Sequence, residues 1–334
     1  MTVDADIHSI VIGRDAMACR FEIVFNAGEH SQDTESAILA LDTVDEIESK
    51  ISIYRDSSEL SQINKKAASG WQSISNEVFD LLKLSLELSL RTQGAFDIAS
   101  GSLTRTWGFL NRQGRTPSAK QLAEALAASG SRWIDLDREK QRVRFKKHGV
   151  EINPGAIGKG WAIDRAHDQL LTLGIQSCLL HGGSSSVRAL GTHGPHEQEE
   201  QPGWPVGIRH PLRSSVRLAT VRLHNQALGT SGSGTQFYIE RGQKLGHIID
   251  PRNGRPAQGV LSATVIAPTA AEADALATAV YIHGPDHLDS LMPNGGDTGA
   301  ILTIPDDSSE IRLILHNISE SIISIDESRG IRLE

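Results

Sequence analysis

The chain has 334 residues, enough for one large or two ordinary domains with real cores, and its 39% hydrophobic and 22% charged residues are the balance of a folded globular protein. A formal net charge of −8 excludes a chain-wide attraction to nucleic acid or to an anionic membrane, so any phosphate site has to be local. Two cysteines, Cys19 and Cys178, are too few for a disulfide framework, lack zinc spacing, and read as small buried side chains.

Met1 to Arg14 lacks a basic leader followed by a long apolar segment, and no run reaches the length of a membrane span. The chain as written is expected in the cytoplasm, or in the periplasm or at a membrane if a signal peptide has been removed. Ile7 to Phe25 reads as paired strands broken by Gly13 to Ala18. Ala37, Ile38, Leu41, Val44, Ile47 and Ile51 then recur at helical spacing. The polar loop Ser52 to Asn64 follows, in which Tyr54 either stacks on a planar ring or sits half-buried in a helix-capping turn.

Asn76 to Arg91 predicts a helix with Val78, Phe79, Leu82 and Leu86 inward. The stretch Gly94-Ala95-Phe96-Asp97 after it suits a flat ligand edge and equally a tight turn. Ser118 with Gln121 forms a capping box, and a boundary between two lobes is placed near residues 116–131. Trp133 to Asp137, Arg142 to Lys146 and Val150 to Ile152 read as strands.

They deliver the chain to Glu151-Ile152-Asn153-Pro154-Gly155-Ala156-Ile157-Gly158-Lys159-Gly160-Trp161-Ala162-Ile163-Asp164. Three glycines in six positions allow a close backbone approach, Lys159 adds a cation, and a helix follows with Trp161, Ala162, Ala166, Leu170 and Leu173 on one face. Its free N-terminal amides favour an anion, so a phosphate is expected here. The spacing is not that of a nucleotide P-loop, because Gly155 is three positions before Gly158 and Gly160 stands where a hydroxyl residue is needed.

Gln176 to Leu180 reads as a buried strand ending in a second glycine turn, His181 to Ser186. Residues 191–203 are expected as an exposed insertion loop, in which His193 and His196 have metal-like spacing without a carboxylate or thiol fixed near them. Strands are expected at Pro205 to Arg209, Val216 to Leu223 and Gln236 to Glu240, and Leu228 to Gly234 reads as too flexible to serve packing. A short strand at Leu245 to Asp250 ends in a Pro/Asn-Gly turn.

Ala271 to His283 predicts a helix behind a Thr269–Glu272 capping box, with Asp274 and Thr278 on one ridge that could ligate a hard cation. Strand-like runs at Ala300 to Ile304, Ile311 to Leu315 and Ile322 to Ile325 close the chain.

In order, these segments resemble the ApbE family, the Mg-dependent FAD:protein FMN transferases, over roughly Met17 to Pro285. Met17-Ala18-Cys19 resembles the family's Met-Gly-Thr, Tyr54 to Glu59 its Tyr-Arg-x-x-Ser-Glu, and Gly94 to Asp97 its Gly-Ala-Phe-Asp. Asn153 to Asp164 is similar to Asp-Leu-Gly-Ala-Ile-Ala-Lys-Gly-Tyr-Ala-Val-Asp, Thr230-Ser231-Gly232 to its Thr-Ser-Gly, His247 to Pro251 to its His-Ile-Ile-Asp-Pro, and Ala273 to Ala279 to its Ala-Asp-x-Leu-x-Thr-Ala. This chain departs from the pattern at Ser184, at Ser233-Gly234 and at Ala277, losing charge near the flavin and pyrophosphate, and Asn153 replaces an Asp.

The resemblance implies an α+β, two-lobed unit spanning residues 1–334, with mixed or antiparallel sheets flanked by helices and FAD in the cleft between lobes. It assigns Met17, Tyr54, Ala95, Phe96, Asp97, Asn153, Lys159 and Ile248 to FAD, and the Ala156 carbonyl, Asp274 and Thr278 to Mg²⁺. The implied reaction is attack by a Ser or Thr hydroxyl of an acceptor flavoprotein on the FMN-side phosphorus, with AMP leaving. His247 is the candidate base and Asp274 the alternative. With the same groups, water as nucleophile would make the chain an FAD pyrophosphatase, and loss of catalysis would leave an FAD-binding carrier.

Overall fold

The computed structural model describes residues 8–29, 31–111, 113–194, 202–213, 215–232, 237–240, 242–306, 311–326 and 331–333. Period-two alternation makes the first hairpin: Ser9–Ala16 (β1) and Cys19–Asn26 (β2) pair antiparallel, with Phe21, Ile23 and Phe25 buried. Met17 and Ala18 alone form the turn, both left-handed at φ 49° and 58°. Two positive-φ residues match the right-handed twist of a two-residue hairpin. The break expected over Gly13 to Ala18 is thus only two residues long, and Gly13 lies in β1 opposite Glu22.

Asp33–Ile51 (α1) buries Ala37, Ala40, Leu41, Val44, Ile47 and Ile51 along one stripe. Glu59–Lys66 (α2), Gln72–Ser73 (β3) and Asn76–Arg91 (α3) follow, with Ser58 and Ser75 capping the two helices. The Glu59 carboxylate accepts from the Ser75 amide and hydroxyl at 2.5 and 2.7 Å and so joins the caps. Next come Gly101–Thr106 (α4), Ala119–Ala128 (α5), Ile134–Asp137 (β4) and Arg142–Phe145 (β5), the small sheet having the order β3-β5-β4. Helix α5, with both arms of the Ser118–Gln121 capping box formed, fills most of the segment where a lobe boundary is expected. Val150 to Ile152 is irregular rather than a strand, because the Asn64 side chain takes both the Ile152 amide and its carbonyl.

Gly158–Thr172 (α6) leads to Cys178–Gly182 (β6), Ser186–Leu190 (β7), Trp204–Arg209 (β8), Arg217–Leu223 (β9) and Ala227–Gly232 (β10). Then come Phe237–Glu240 (β11), Gln243–Gly246 (β12), Ile249–Asp250 (β13), Arg255–Pro256 (β14) and Ser262–Ala267 (β15). Ala270–His283 (α7), Leu288–Leu291 (α8), Gly299–Pro305 (β16), Ile311–His316 (β17), Ile323–Ile325 (β18) and Ile331–Leu333 (β19) end the chain.

The main sheet has the order β1-β2-β6-β7-β10-β15-β16-β17-β19, antiparallel except for the last pair. Alternation sends its residues to two cores. Ala227, Ala263, Val265 and Leu302 face the helices, whereas Leu228, Ile266, Ile301 and Leu313 face the sheet β18-β9-β8. A third cluster gathers Leu103, Trp107 and Phe109 against Leu245 and Ile249. The molecule is α+β, with the helices on one face of the large sheet and the smaller sheet on the other.

Candidate functional site

Helix α7 is buried on nearly all sides, since nine of its apolar residues between Ala270 and Tyr281 are core. Alanines make it thin, and glycines on both sides let its backbone approach further. A Cβ on Gly160 of α6 would lie 2.6 Å from the Ala271 nitrogen and closer to the Ala270 carbonyl. A Cβ on Gly229 of β10 would lie 2.5 Å from the Ala273 carbonyl carbon. Close approach of this kind is a reason for glycine at both positions. Leu228 to Gly232, read as too flexible for packing, is therefore a central strand against which α7 packs.

The pinch places Asp274 at the α6 terminus. Its Oδ2 accepts from the Gly160 amide at 2.9 Å, and Ser186 Oγ donates to its two oxygens at 2.7 and 2.9 Å. Lys159 Nζ donates to Ser185 Oγ, and the Ser185 carbonyl accepts from the Thr230 amide at 2.8 Å. One turn along α7, Thr278 Oγ1 lies 3.0 Å from Ser231 Oγ. Cys19 adjoins this group: a Cβ on Gly183 would be 3.5 Å from its sulfur, and the nearby Lys159 charge opposes the rise in thiol pKa that burial causes. Cys19 is half-buried, not buried as expected, whereas Cys178 is in the core.

Asp274 is 9% exposed, and desolvation pushes its carboxyl above the ordinary carboxylate range against the pull of Lys159 and the hydrogen bonds from Ser186 and Gly160. Besides the Gly160 amide and the Lys159 ammonium, the polar groups around it are oxygens: the carboxylate and the Thr278, Ser231 and Ser186 hydroxyls. Among the described residues no three His, Cys, Asp or Glu side chains gather as a metal cage. A hard-oxygen set with one carboxylate fits Mg²⁺, which keeps waters and uses few protein charges. Ala156, half-buried, ends the single 3₁₀ turn Pro154–Ala156 just before α6.

Of the remaining predicted residues, Asn153 and the Gly94 to Asp97 loop adjoin the entry to α6, and the others lie on separate elements. Asn153 donates its amide to the Ile98 carbonyl at 2.8 Å and caps the 3₁₀ turn through Gly155, so Asn153 lies beside the Gly94 to Asp97 loop. Phe96 is 2% exposed and Ala95 fully buried, so these two side chains pack in the core. Asp97 accepts from the Ala99 amide and from the Ser131 amide and hydroxyl at 2.6–2.8 Å, which makes it a structural hub. Tyr54 is 75% exposed rather than half-buried, in a loop three residues beyond Ile51, whose side chain approaches Gly158. Met17 sits half-buried in the hairpin turn. His247 lies edge-on to Phe109, with ring centroids 6.4 Å apart, and Ile248 belongs to the main core.

Two functional contacts escape sequence reasoning. Ser186 grips Asp274 from a strand 88 residues earlier, and pattern gives no sign of it. Asp164 accepts from the Ala270 and Ala271 amides at 2.9 Å each and pairs with Arg188. It thereby fills the α7 N-terminus from a neighbouring helix, and only its place at the end of the glycine motif hints at a role. Leu173, expected inside, is 40% exposed because α6 ends at Thr172. In the predicted insertion, Gly191, Thr192 and Gly194 are buried and the Thr192 carbonyl and Gly194 amide are held by Asn26, while His196 and residues 195–201 lie outside the described residues. Ser233, Gly234 and Gln236 lie outside them too.

Fold and site together define an α+β protein with a lysine-bearing helix terminus beside a buried carboxylate. The chain belongs to the ApbE family, whose model matches residues 17–302. It is 31% identical to the FAD:protein FMN transferase of Haemophilus influenzae over 264 residues, 77% of this chain and 74% of that protein. Its 32% identity to the FAD:protein FMN transferase of Rhodobacter capsulatus covers 75% of this chain, which spans about half, 47%, of that relative's length. The crystal structure of the ApbE protein from Thermotoga maritima superposes with a TM-score of 0.80 at 27% identity, over 91% of this chain and 96% of that one. The flavin transferase ApbE from Vibrio cholerae, at 23% identity and a TM-score of 0.78 over 93% of this chain and 97% of that one, shares the fold. The Haemophilus, Rhodobacter and Vibrio relatives are enzymes by name, and no described helix of this chain is long and apolar enough to cross a membrane.

Proposed function

We propose that this chain transfers FMN from FAD to a Ser or Thr hydroxyl of an acceptor flavoprotein and releases AMP. The observation that carries the reading is the convergence of Lys159, Ser185, Ser186, Asp274 and Thr278 from three separated segments at the α6 terminus. Relatives covering most of this chain are named for transfer of FMN from FAD to protein.

In this reading FAD lies in the cleft, its pyrophosphate at the α6 N-terminus, where no acidic residue occupies the first turn and Lys159 supplies the local cation that a chain of net charge −8 otherwise lacks. Asp274, Thr278 and the Ala156 carbonyl would hold Mg²⁺, whose charge would stabilise the diphosphate. Exposed Tyr54 and half-buried Met17 are the side chains that would lie on the flavin, while buried Ala95 and Phe96 would offer backbone. Asp97 and Asn153 would set the loop that carries it, and Ile248 would border it. A ring nitrogen of His247 would take the proton of the acceptor hydroxyl as its oxygen bonds to the FMN-side phosphorus and the bond to AMP breaks. Asp274 is the alternative base.

The test is incubation with FAD, Mg²⁺ and candidate acceptors, read by flavin fluorescence of the acceptor on a denaturing gel and by AMP. AMP without acceptor would identify a pyrophosphatase instead, and tight FAD binding without AMP under either condition a carrier.

A further inference from the structure

Two of the segments assigned above to FAD and the helix assigned to Mg²⁺ meet at a side chain that none of the motifs contains. His283 ends α7. Its Nε2 lies 3.1 Å from the Thr92 carbonyl, in the turn that opens the Gly94 to Asp97 loop. Arg252 Nη1 lies against the ring, 3.2 Å from Nδ1 and 3.3 Å from Nε2. Arg252 is itself fixed, because Nε and Nη2 donate to the two Asp250 oxygens at 2.9 Å each and its own amide donates to Asp250 Oδ1 at 2.9 Å. Asn253 Nδ2 adds a fourth bond to that carboxylate at 3.0 Å. Nη1 is the part of the guanidinium that this turn extends to His283. A Cβ on Gly94 would stand 3.8 Å from Arg252 Cγ, so the loop also lies along the arginine stem.

The Thr92 carbonyl sets the tautomer: a carbonyl only accepts, so Nε2 of the neutral ring carries the hydrogen, and Nδ1 keeps the lone pair beside the Arg252 guanidinium. We propose that neutral His283 is a positioning residue, a clip that ties the end of α7 to the Thr92–Asp97 loop and to the Asp250–Arg252 turn, and thereby holds His247 and Ile248 in register with the Asp274–Thr278 ridge. The claim deepens the transferase reading and rests on it for the identity of the ligand. A proton on Nδ1 would turn an acceptor into a donor facing Arg252 and open the clip.

The charged and titratable groups facing the ring are Arg252, Asp250 and His287, whose ring centroid is 4.5 Å away. Burial, followed by Arg252 and His287, pushes His283 below the ordinary histidine value, outweighing the Thr92 carbonyl and Asp250. The clipped state therefore binds fewer protons than the open one. Clipping is complete above the ordinary value of about 6.5 and is lost as pH falls toward the lower value of the clipped state.

Hydrogen exchange, corrected for intrinsic rates, reads the clip without any ligand. The variants are His283→Gln, which keeps a neutral donor and acceptor but cannot titrate, and His283→Leu, which has neither, with His287→Gln to separate the second ring. Between pH 8 and pH 5.5, wild type is expected to gain several-fold faster exchange in residues 92–97 and 247–254, at most about tenfold per pH unit. His283→Gln should show no such gain, His283→Leu should exchange fast at both pH values, and His287→Gln should behave as wild type. Equal pH responses of wild type and His283→Gln, or slow exchange of His283→Leu at pH 8, would overturn the clip.

FAD affinity by flavin fluorescence, over the same pH values, reads the site. It should weaken with acid more in wild type than in His283→Gln. Matching affinity profiles beside differing exchange would overturn the positioning role. Absence of FAD binding by wild type at pH 8 would instead defeat the transferase reading, while exchange still decides the clip.

Discussion

Replacing Gly160 by alanine tests whether the pinch on α7 builds the site. Position 160 lies inside α6, where alanine alone would favour the helix by about 1 kcal/mol. Against this, the added Cβ would fall 2.6 Å from the Ala271 nitrogen and nearer still to the Ala270 carbonyl, all backbone that no rotamer change can clear. Overpacking of this kind costs about 1–3 kcal/mol. Moving α7 away also stretches the Gly160 bond to Asp274, and a hydrogen bond to a charged group is worth about 1.5–3 kcal/mol. The net expectation is a loss of about 2–4 kcal/mol. With an unfolding entropy of about 2.1 cal/mol/K per residue over 334 residues, each kcal/mol shifts Tm by about 1.4 °C, so Tm should fall by about 3–6 °C. Gly158→Ala is the matched control, because its Cβ would meet the Ile51 Cδ1 tip at 3.2 Å and Pro154 Cβ at 3.3 Å, and should change stability by less than about 1 kcal/mol. Calorimetry on the two variants decides. An unchanged or raised Tm for Gly160→Ala would refute the pinch.

Asp164→Asn leaves an amide where two α7 amides and Arg188 need an acceptor, so it should cost about 3–5 kcal/mol in urea unfolding, as loss of one buried ion-pair partner does; a cost under 1 kcal/mol would deny Asp164 its capping role. Lys159→Met removes the charge at the α6 terminus without truncating the stem and should weaken FAD binding tenfold or more, at about 1.5–3 kcal/mol for a charge-assisted contact, as read by fluorescence titration; unaltered affinity would move the diphosphate elsewhere. Asp274→Asn keeps an acceptor for Gly160 while Ser186 turns to accept. Because burial raises the folded Asp274 carboxyl, the unfolded chain ionises first, and wild type loses stability as pH rises from about 3.8 toward the folded value. In EDTA at pH 7 the variant should therefore be at least as stable as wild type, and added Mg²⁺ should raise the Tm of wild type alone. A less stable variant, or an equal Mg²⁺ shift, would contradict this.

Periodic elements were legible because one face of each is buried. Helices α1 and α3 and strands β5 and β17 lie close to where apolar spacing puts them. The failures share a cause, which is that tertiary contact outvotes local pattern. Leu228 to Gly232 looks like a loop by composition, yet Gly229 is there so that α7 can touch the sheet. Glu59 looks like part of a ligand signature, yet it holds the α3 cap. The Asp274 and Thr278 ridge could be read from helical spacing, whereas Ser186, Asp164 and the His283 clip depend on residues brought together from afar.

The departures at 184 and 277 fall where the fold can absorb them. Ser184 is the exposed tip of its turn, and the contacts to Lys159 and Asp274 come from Ser185 and Ser186 behind it. Ala277 is fully buried among apolar residues, so a carboxylate there would have to be desolvated beside Asp274. What remains at the α6 terminus is one lysine and one aspartate, which cancel. On the reading proposed above, a diphosphate would bring two negative charges into this group and Mg²⁺ two positive ones, and the filled site would be neutral. A partly buried site tolerates neutral sums far better than unpaired charge. Binding of the nucleotide and of the cation should therefore be mutually dependent, each raising the affinity of the other by the same factor.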